Sequence, residues 1–277
     1  MIKNDRIKTV FKKEMRLADM AKIIAITNQK GGVGKTTTSV NLASSLGHMN
    51  KKILLVDLDP QGNSTSGVGI DKTDVESSVY EVIMQEVKAS EALMDTKFKN
   101  LVLMPASIDL AGVDLQLAKI DKGKEQMLKK QLEQVKSYFD FIIIDCPPSL
   151  GVLNTNALTA ADAVIIPVQC EYYALEGLTQ LLGTIRAVQQ NFNKKLKIEG
   201  VVLTMMDNRT KLGLEVSQEI KKYFREKVYK TIIPRNIKLS EAPSMGLPIS
   251  EYDPSSSGSI AYLSLAKEVK SANEKTK

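Results

Sequence analysis

Apolar residues in this chain fall into short unbroken runs rather than alternating with polar ones. Residues 23–27, 53–56, 101–104, 141–144, 163–168, 200–204 and 231–233 are dominated by Ile, Val and Leu. A run that is apolar at every position is buried on both faces, which suits the strands of a parallel sheet covered by helices. Between most of these runs the apolar positions recur at helical spacing, most clearly over 36–47, 123–137, 174–190 and 214–224. Strand and helix in alternation imply an α/β fold: a doubly wound, mostly parallel sheet with right-handed crossovers and helices on both faces. In such sheets ligands sit beyond the carboxyl ends of the strands. No internal repeat and no low-complexity segment interrupts the pattern.

The first apolar run leads into Lys30-Gly31-Gly32-Val33-Gly34-Lys35-Thr36-Thr37. Strand, glycine-rich turn and helix in that order form a phosphate cradle, in which loop and helix N–H groups point at the anion. Lys35 is placed to reach the β- and γ-phosphates of a nucleotide, and the Thr36 hydroxyl to ligate Mg²⁺. The ordinary pattern, G-x-x-x-x-G-K-[ST], asks for glycine at position 29. This chain has Gln29 and a second lysine, Lys30.

Two further strands end in acid. Asp57-Leu58-Asp59-Pro60-Gln61-Gly62-Asn63 follows the second run. It puts two carboxylates on a turn near the loop, one to support Mg²⁺ and one to orient a water for in-line attack. The run 141–144 ends in Asp145-Cys146-Pro147-Pro148. Asp145 is positioned as the second metal-side carboxylate, and the prolines force the chain out of the strand. Later strand-end loops carry Arg209, Pro234, Asn236 and Lys238. Pro234 and Asn236 suit a base pocket for adenine; spacing alone leaves guanine open.

Composition narrows the class. Hydrophobic residues make up 43% and charged residues 25% of 277, the balance of a folded globular chain. Two cysteines, Cys146 and Cys170, are too few for a disulfide scaffold and lack C-x-x-C spacing, so buried reduced thiols are expected. No run approaches the ~18 residues that span a bilayer, and the N-terminus lacks an apolar signal region. A cytoplasmic protein is expected. The formal charge of +6 permits a polyanionic partner without requiring one. Half of that excess lies in residues 1–19, with six basic and three acidic side chains. That basic extension fits a tail preceding a domain over 20–277 that opens at Met20, an auxiliary DNA contact, or weak attachment to a membrane surface. It is too short for a helix-turn-helix domain.

These motifs, together with Cys170-Glu171-Tyr172-Tyr173-Ala174-Leu175-Glu176-Gly177 and Leu239-Ser240-Glu241-Ala242-Pro243-Ser244, resemble the deviant Walker A ATPases, the ParA/MinD group within the P-loop NTPases, and most closely its Soj-like ParA branch. The resemblance covers roughly residues 20–272. It implies ATP rather than GTP, with Mg²⁺. It gives Lys30 a role across a dimer on the partner's nucleotide, Asp59 the hydrolytic role and Asp57 a supporting one. It implies slow ATP hydrolysis, an ATP-dependent homodimer and binding to double-stranded DNA without regard to sequence. Arg209 and Lys238 would touch DNA phosphates; where the pattern usually carries a second arginine this chain has Lys238, which keeps the charge but not the bidentate geometry. Release would be stimulated by a ParB-type partner, and the protein would be associated with the nucleoid. Three rivals remain at this stage. A MinD-like membrane-cycling ATPase would need an amphipathic C-terminal helix, yet apolar residues thin out after Val269. An iron–sulfur protein like the nitrogenase iron protein would use Cys146 and Cys170. A nucleotide-dependent scaffold would not need Asp59.

Overall fold

The computed structural model describes residues 21–149, 151–171, 174–206 and 210–274. One sheet contains β1 (Lys22–Ile26), β2 (Ile53–Asp57), β3 (Met94–Asp95), β4 (Leu101–Met104), β5 (Phe141–Asp145), β6 (Ala163–Gln169), β7 (Lys197–Met206) and β8 (Val228–Pro234). Their order across the sheet is β3-β4-β2-β5-β1-β6-β7-β8. Every neighbouring pair is parallel except β3–β4 at the edge. The longer helices are α1 (Lys35–His48), α2 (Val152–Ala160), α3 (Ala174–Asn191), α4 (Lys211–Phe224) and α5 (Ser257–Glu274).

The pleat explains the unbroken apolar runs. In β1, Ile23 and Ala25 join the core that packs under α2, α3 and α4. Ile24 and Ile26 point the other way, into the core shared with α1 and α5. Successive side chains of a strand leave opposite faces, so a sheet covered on both sides needs apolar residues at consecutive positions. On the second face α1 and α5 also touch each other, with the Tyr262 hydroxyl 3.2 Å from that of Thr38.

All seven apolar runs are strands of this sheet, with ends moved by up to three residues. The eighth, β3, has only two residues, one of them Asp95, and so offers no alternation to read. The helices expected at 36–47, 174–190 and 214–224 are α1, α3 and α4. The segment 123–137 differs: it is a 3₁₀ turn (Lys124–Gln126), a helix (Met127–Leu132) and a second 3₁₀ turn (Lys136–Tyr138). Gln134 and Val135 donate to carbonyls three residues back, at 3.2 and 3.1 Å, which tightens the chain. The tighter path brings Lys136 Nζ within 3.5 Å of Asp162 and lets the Lys136 carbonyl accept from the Ala21 amide at 3.2 Å. Tertiary anchoring here overrides a periodic sequence. Among the described residues no helix is long and apolar enough to cross a membrane. Residues 1–19 lie outside the described residues.

Gly47 tests the packing of α1. Within a helix, alanine normally exceeds glycine by about 1 kcal/mol. A β-carbon at Gly47 would stand 2.4 Å from the backbone carbonyl oxygen of Lys99, which cannot swing aside as a side chain would. Gly47→Ala is therefore expected to lower stability by about 1–3 kcal/mol, seen as a lower denaturant midpoint. A midpoint equal to or above that of the parent would show that the 99–100 turn yields instead.

Candidate active site

The strand order brings three chemistry-bearing ends together. β5 lies between β2 and β1, so Asp145 is level with Asp57 on one side and with Ile26 on the other. From Ile26 the chain enters the glycine loop. Asn28 stiffens its start: Nδ2 donates to the Pro167 carbonyl at 2.7 Å, and Oδ1 accepts from the Lys30 amide at 3.1 Å. Gly34 caps α1 in the left-handed region, at φ 85°, a conformation strained for any residue with a β-carbon. No side chain caps this helix. Its first-turn N–H groups and positive dipole end are therefore left for an anion. Thr204 anchors the loop from β7, its hydroxyl donating to the Val33 carbonyl at 2.9 Å.

Lys35 begins α1 and is only 7% exposed. Its ammonium donates to the Lys30 carbonyl at 3.0 Å. Burial lowers its pKa, opposed by the negative charges of Asp145 and Asp59 and by Cys146. An anion beside it would restore the charged form.

Asp145 is fully buried. It accepts from Ser39 Oγ at 3.0 Å and Ser64 Oγ at 2.7 Å, and the Thr36 hydroxyl also bonds it. Asp57, equally buried, accepts from the Thr65 amide and hydroxyl, both at 2.7 Å, and from the Asp59 amide at 3.2 Å. Burial raises the pKa of both carboxyls. For Asp57 the negative charge of Asp145 adds to that rise, while for Asp145 the three hydroxyls pull against it. Two adjoining buried carboxylates favour a shared proton or a cation. Thr36 and Asp145 form an oxygen donor pair of the kind Mg²⁺ takes alongside phosphate oxygens. Asp57 adjoins that pair, but both of its oxygens are engaged with Thr65 and the Asp59 backbone. Asp59 sits at the rim, 9% exposed, with Oδ1 accepting from the Gln61 amide at 3.0 Å.

Several residues that serve the site carried no signal in the sequence pattern. Ser39 and Ser64 look like ordinary helix and turn residues until the fold sets them on Asp145. Asn154 joins the loop to the segment after β5: Oδ1 accepts from the Thr27 hydroxyl at 3.0 Å, and Nδ2 donates to the Pro147 carbonyl at 2.9 Å and to that of Ser149. Glu171 binds Lys30 Nζ at 2.6 Å. Its segment was identifiable from the resemblance, but its contact was not.

The remaining expected residues lie further along the sheet. Pro234 ends β8 opposite Met206 of β7. Asn236 is committed on both sides of its amide: Oδ1 caps the helix Ile237–Glu241 through the Lys238 amide at 2.8 Å, and Nδ2 donates to Ser257 Oγ at 2.7 Å. A base contact through that amide would have to displace one of these bonds. Lys238 is exposed, 2.9 Å from Glu241 Oε2 and 5.7 Å from the centre of the Tyr252 ring. Arg209 lies outside the described residues. Cys146 is 1% exposed, so it cannot share a cluster across a subunit boundary without exposing the core.

Comparison with known proteins places this geometry among relatives. Residues 21–198 match the protein family described as AAA domain. The chain is 60% identical over 250 residues to the sporulation initiation inhibitor protein Soj of Bacillus subtilis, covering 90% of this chain and 98% of that one. It is 48% identical over 252 residues to the chromosome partitioning protein ParA of Myxococcus xanthus, covering 91% and 89%. Among solved structures it resembles cobyrinic acid a,c-diamide synthase from Mycobacterium smegmatis with bound ADP and magnesium, at TM-score 0.81 and 39% identity over 93% of this chain and 97% of that one. It also resembles the septum site-determining protein MinD of Pyrococcus horikoshii with Mg-ADP, at TM-score 0.75 and 28% identity over 90% and 96%.

Asn154 provides a check on how the site is held. Asn154→Ala takes one acceptor from the Thr27 hydroxyl and the side-chain donor from the Pro147 carbonyl, both in a buried setting. A loss of about 1–3 kcal/mol in unfolding free energy is expected, with weaker nucleotide binding in a calorimetric titration. Unaltered values for both would show that the two segments are held by other contacts.

Proposed function

The chain belongs to the Soj/ParA family of chromosome-partitioning ATPases, and from that premise we propose how its own residues run the cycle. The observation that carries the reading is the convergence of Lys35, the Thr36–Asp145 pair and Asp59 on one loop at the carboxyl ends of β1, β5 and β2. Loop amides and Lys35 hold the β- and γ-phosphates of ATP. Thr36 and Asp145, supported by Asp57, would hold Mg²⁺, which would supply positive charge beside the phosphate oxygens. Asp59 orients the water that attacks the γ-phosphorus. Asp59 is bound through its own turn rather than locked on a cation, which leaves it able to accept from that water. Pro234 and Asn236 border the base.

ATP favours a homodimer in which Lys30 of each subunit completes the other's site. The dimer presents basic side chains, Lys238 and Arg209 among them, to the phosphates of double-stranded DNA, which binds without regard to sequence. Hydrolysis, stimulated by a ParB-type partner, ends the contacts that only ATP makes and so releases the dimer. Such a protein acts in the cytoplasm on the nucleoid. Relatives at 48% and 50% identity, ParA of Myxococcus xanthus and Soj of Treponema pallidum, are named for chromosome partitioning, and the relative at 60% shares the name Soj; the solved synthase stands at 39%. α5 gives the membrane-cycling reading little support: Tyr262, Leu265 and Val269 are spent in the core, and Ile260 and Leu263 are the large apolar residues its described outer face exposes.

Two substitutions and one binding assay test the cycle. Lys35→Ala is expected to abolish ATP binding, and retained affinity would remove its role. Asp59→Ala is expected to keep ATP binding and lose turnover by at least about a hundredfold; a fully active variant would place the catalytic carboxylate elsewhere. With ATP, the Asp59→Ala protein should bind random-sequence duplex DNA, more weakly as salt rises, and should not do so with ADP. Binding that ignores the nucleotide, or none at all, would contradict the switch.

A further inference from the structure

Lys30 is held in three places, and they are not equal. Its amide donates to Asn28 Oδ1 at 3.1 Å, and its carbonyl accepts from Lys35 Nζ at 3.0 Å. These fix the backbone within the loop. The side chain has a separate anchor, Glu171 Oε2, at 2.6 Å. Glu171 is itself steadied, because Gln169 Nε2 donates to its other carboxylate oxygen. The pair spans the carboxyl ends of the adjacent strands β1 and β6, with side chains 32% and 48% exposed. A long flexible side chain on a rigid backbone, tied by one solvent-accessible ion pair, is a movable arm with a weak catch.

We propose that Glu171 is a positioning residue that latches Lys30 onto its own subunit and sets the threshold for ATP-dependent dimerisation. The inference rests on the dimer reading above, in which Lys30 serves the partner's nucleotide. An ammonium held at 2.6 Å by its own subunit's carboxylate has to leave it to reach a phosphate on another subunit. ATP offers the triphosphate that outcompetes one carboxylate; the γ-phosphate lost on hydrolysis weakens that offer, and the arm returns to Glu171. The latch therefore disfavours dimers that lack ATP on both sides. Each symmetric dimer opens two such latches. An exposed ion pair changes an equilibrium by about 1.4- to 5-fold, so removing both catches should tighten the dimer by about 2- to 25-fold.

Glu171→Gln keeps the shape and the ability to accept a hydrogen bond but removes the charge. The measurement is the dimer dissociation constant of the full chain by sedimentation velocity, with Mg²⁺ and a non-hydrolysable ATP analogue, at low and high salt. Glu171→Asp, which keeps the charge on a shorter arm, serves as the second variant. Support would be a tighter dimer for Glu171→Gln, a value for Glu171→Asp nearer the parent, and a gap between parent and Glu171→Gln that closes as salt screens the pair. A parent that dimerises with the analogue while Glu171→Gln is unchanged or weaker overturns the latch and leaves the dimer reading standing. A parent that remains monomeric with the analogue overturns both. Unchanged thermal midpoints confirm that the comparison is between folded proteins.

Discussion

A carboxylate taken wholly out of water costs several kcal/mol unless hydrogen bonds or a cation replace its hydration. Asp145 bears that cost at the centre of the sheet, and the surrounding structure is arranged to offset it. Thr36 and Ser39 reach it from α1, and Ser64 reaches it from the short helix Asn63–Gly67 that follows β2. Those donors are separated in the chain and arrive only because β5 lies between β1 and β2. The same register sets Asp57 alongside, which sharpens the electrostatic problem. Two buried carboxyls beside a buried lysine form a site suited to taking a cation and an anion together.

The loop solves a different problem by backbone means. It must approach an anion closely without side chains in the way, and then turn at once into a helix. Gly34 at φ 85° makes the turn, and the uncapped start of α1 supplies the donors. Asn28, Thr204 and Lys35 then fix the loop from three directions through its own peptide groups. The backbone is fixed by these bonds, while Lys30 Nζ is anchored separately, on a surface carboxylate.

At the β8 edge of the sheet the polar groups are arranged for order rather than reaction. Asn236 caps a short helix and ties it to the start of α5, while Lys238, Glu241 and Tyr252 form a compact exposed cluster. A lysine so paired remains a cation with its donors partly occupied.

The local motifs were legible from the sequence because their geometry is local. A glycine loop between a strand and a helix needs only adjacent residues to define its backbone, and a strand that ends in Asp puts that Asp at the sheet's rim whatever follows. The seven apolar runs were legible for the same reason: burial on both faces writes itself into consecutive positions. Other features depended on distance in the chain. Lys30 and Glu171 are 141 residues apart, Thr27 and Asn154 127, Ser39 and Asp145 106. Glutamate, asparagine and serine are common on surfaces and turns, so no local pattern marks them until the strand order makes them neighbours. The segment 123–137 reads as one helix because its apolar spacing is real, while the contacts that break it come from Asp162 and Ala21 across the fold. The sequence alone determined the chemistry available, a phosphate loop with two lysines and three aspartates at strand ends. Only the tertiary structure decided which carboxylate is sealed among hydroxyls, which sits at the rim, and where the first lysine rests, because each of these depends on which strands lie side by side.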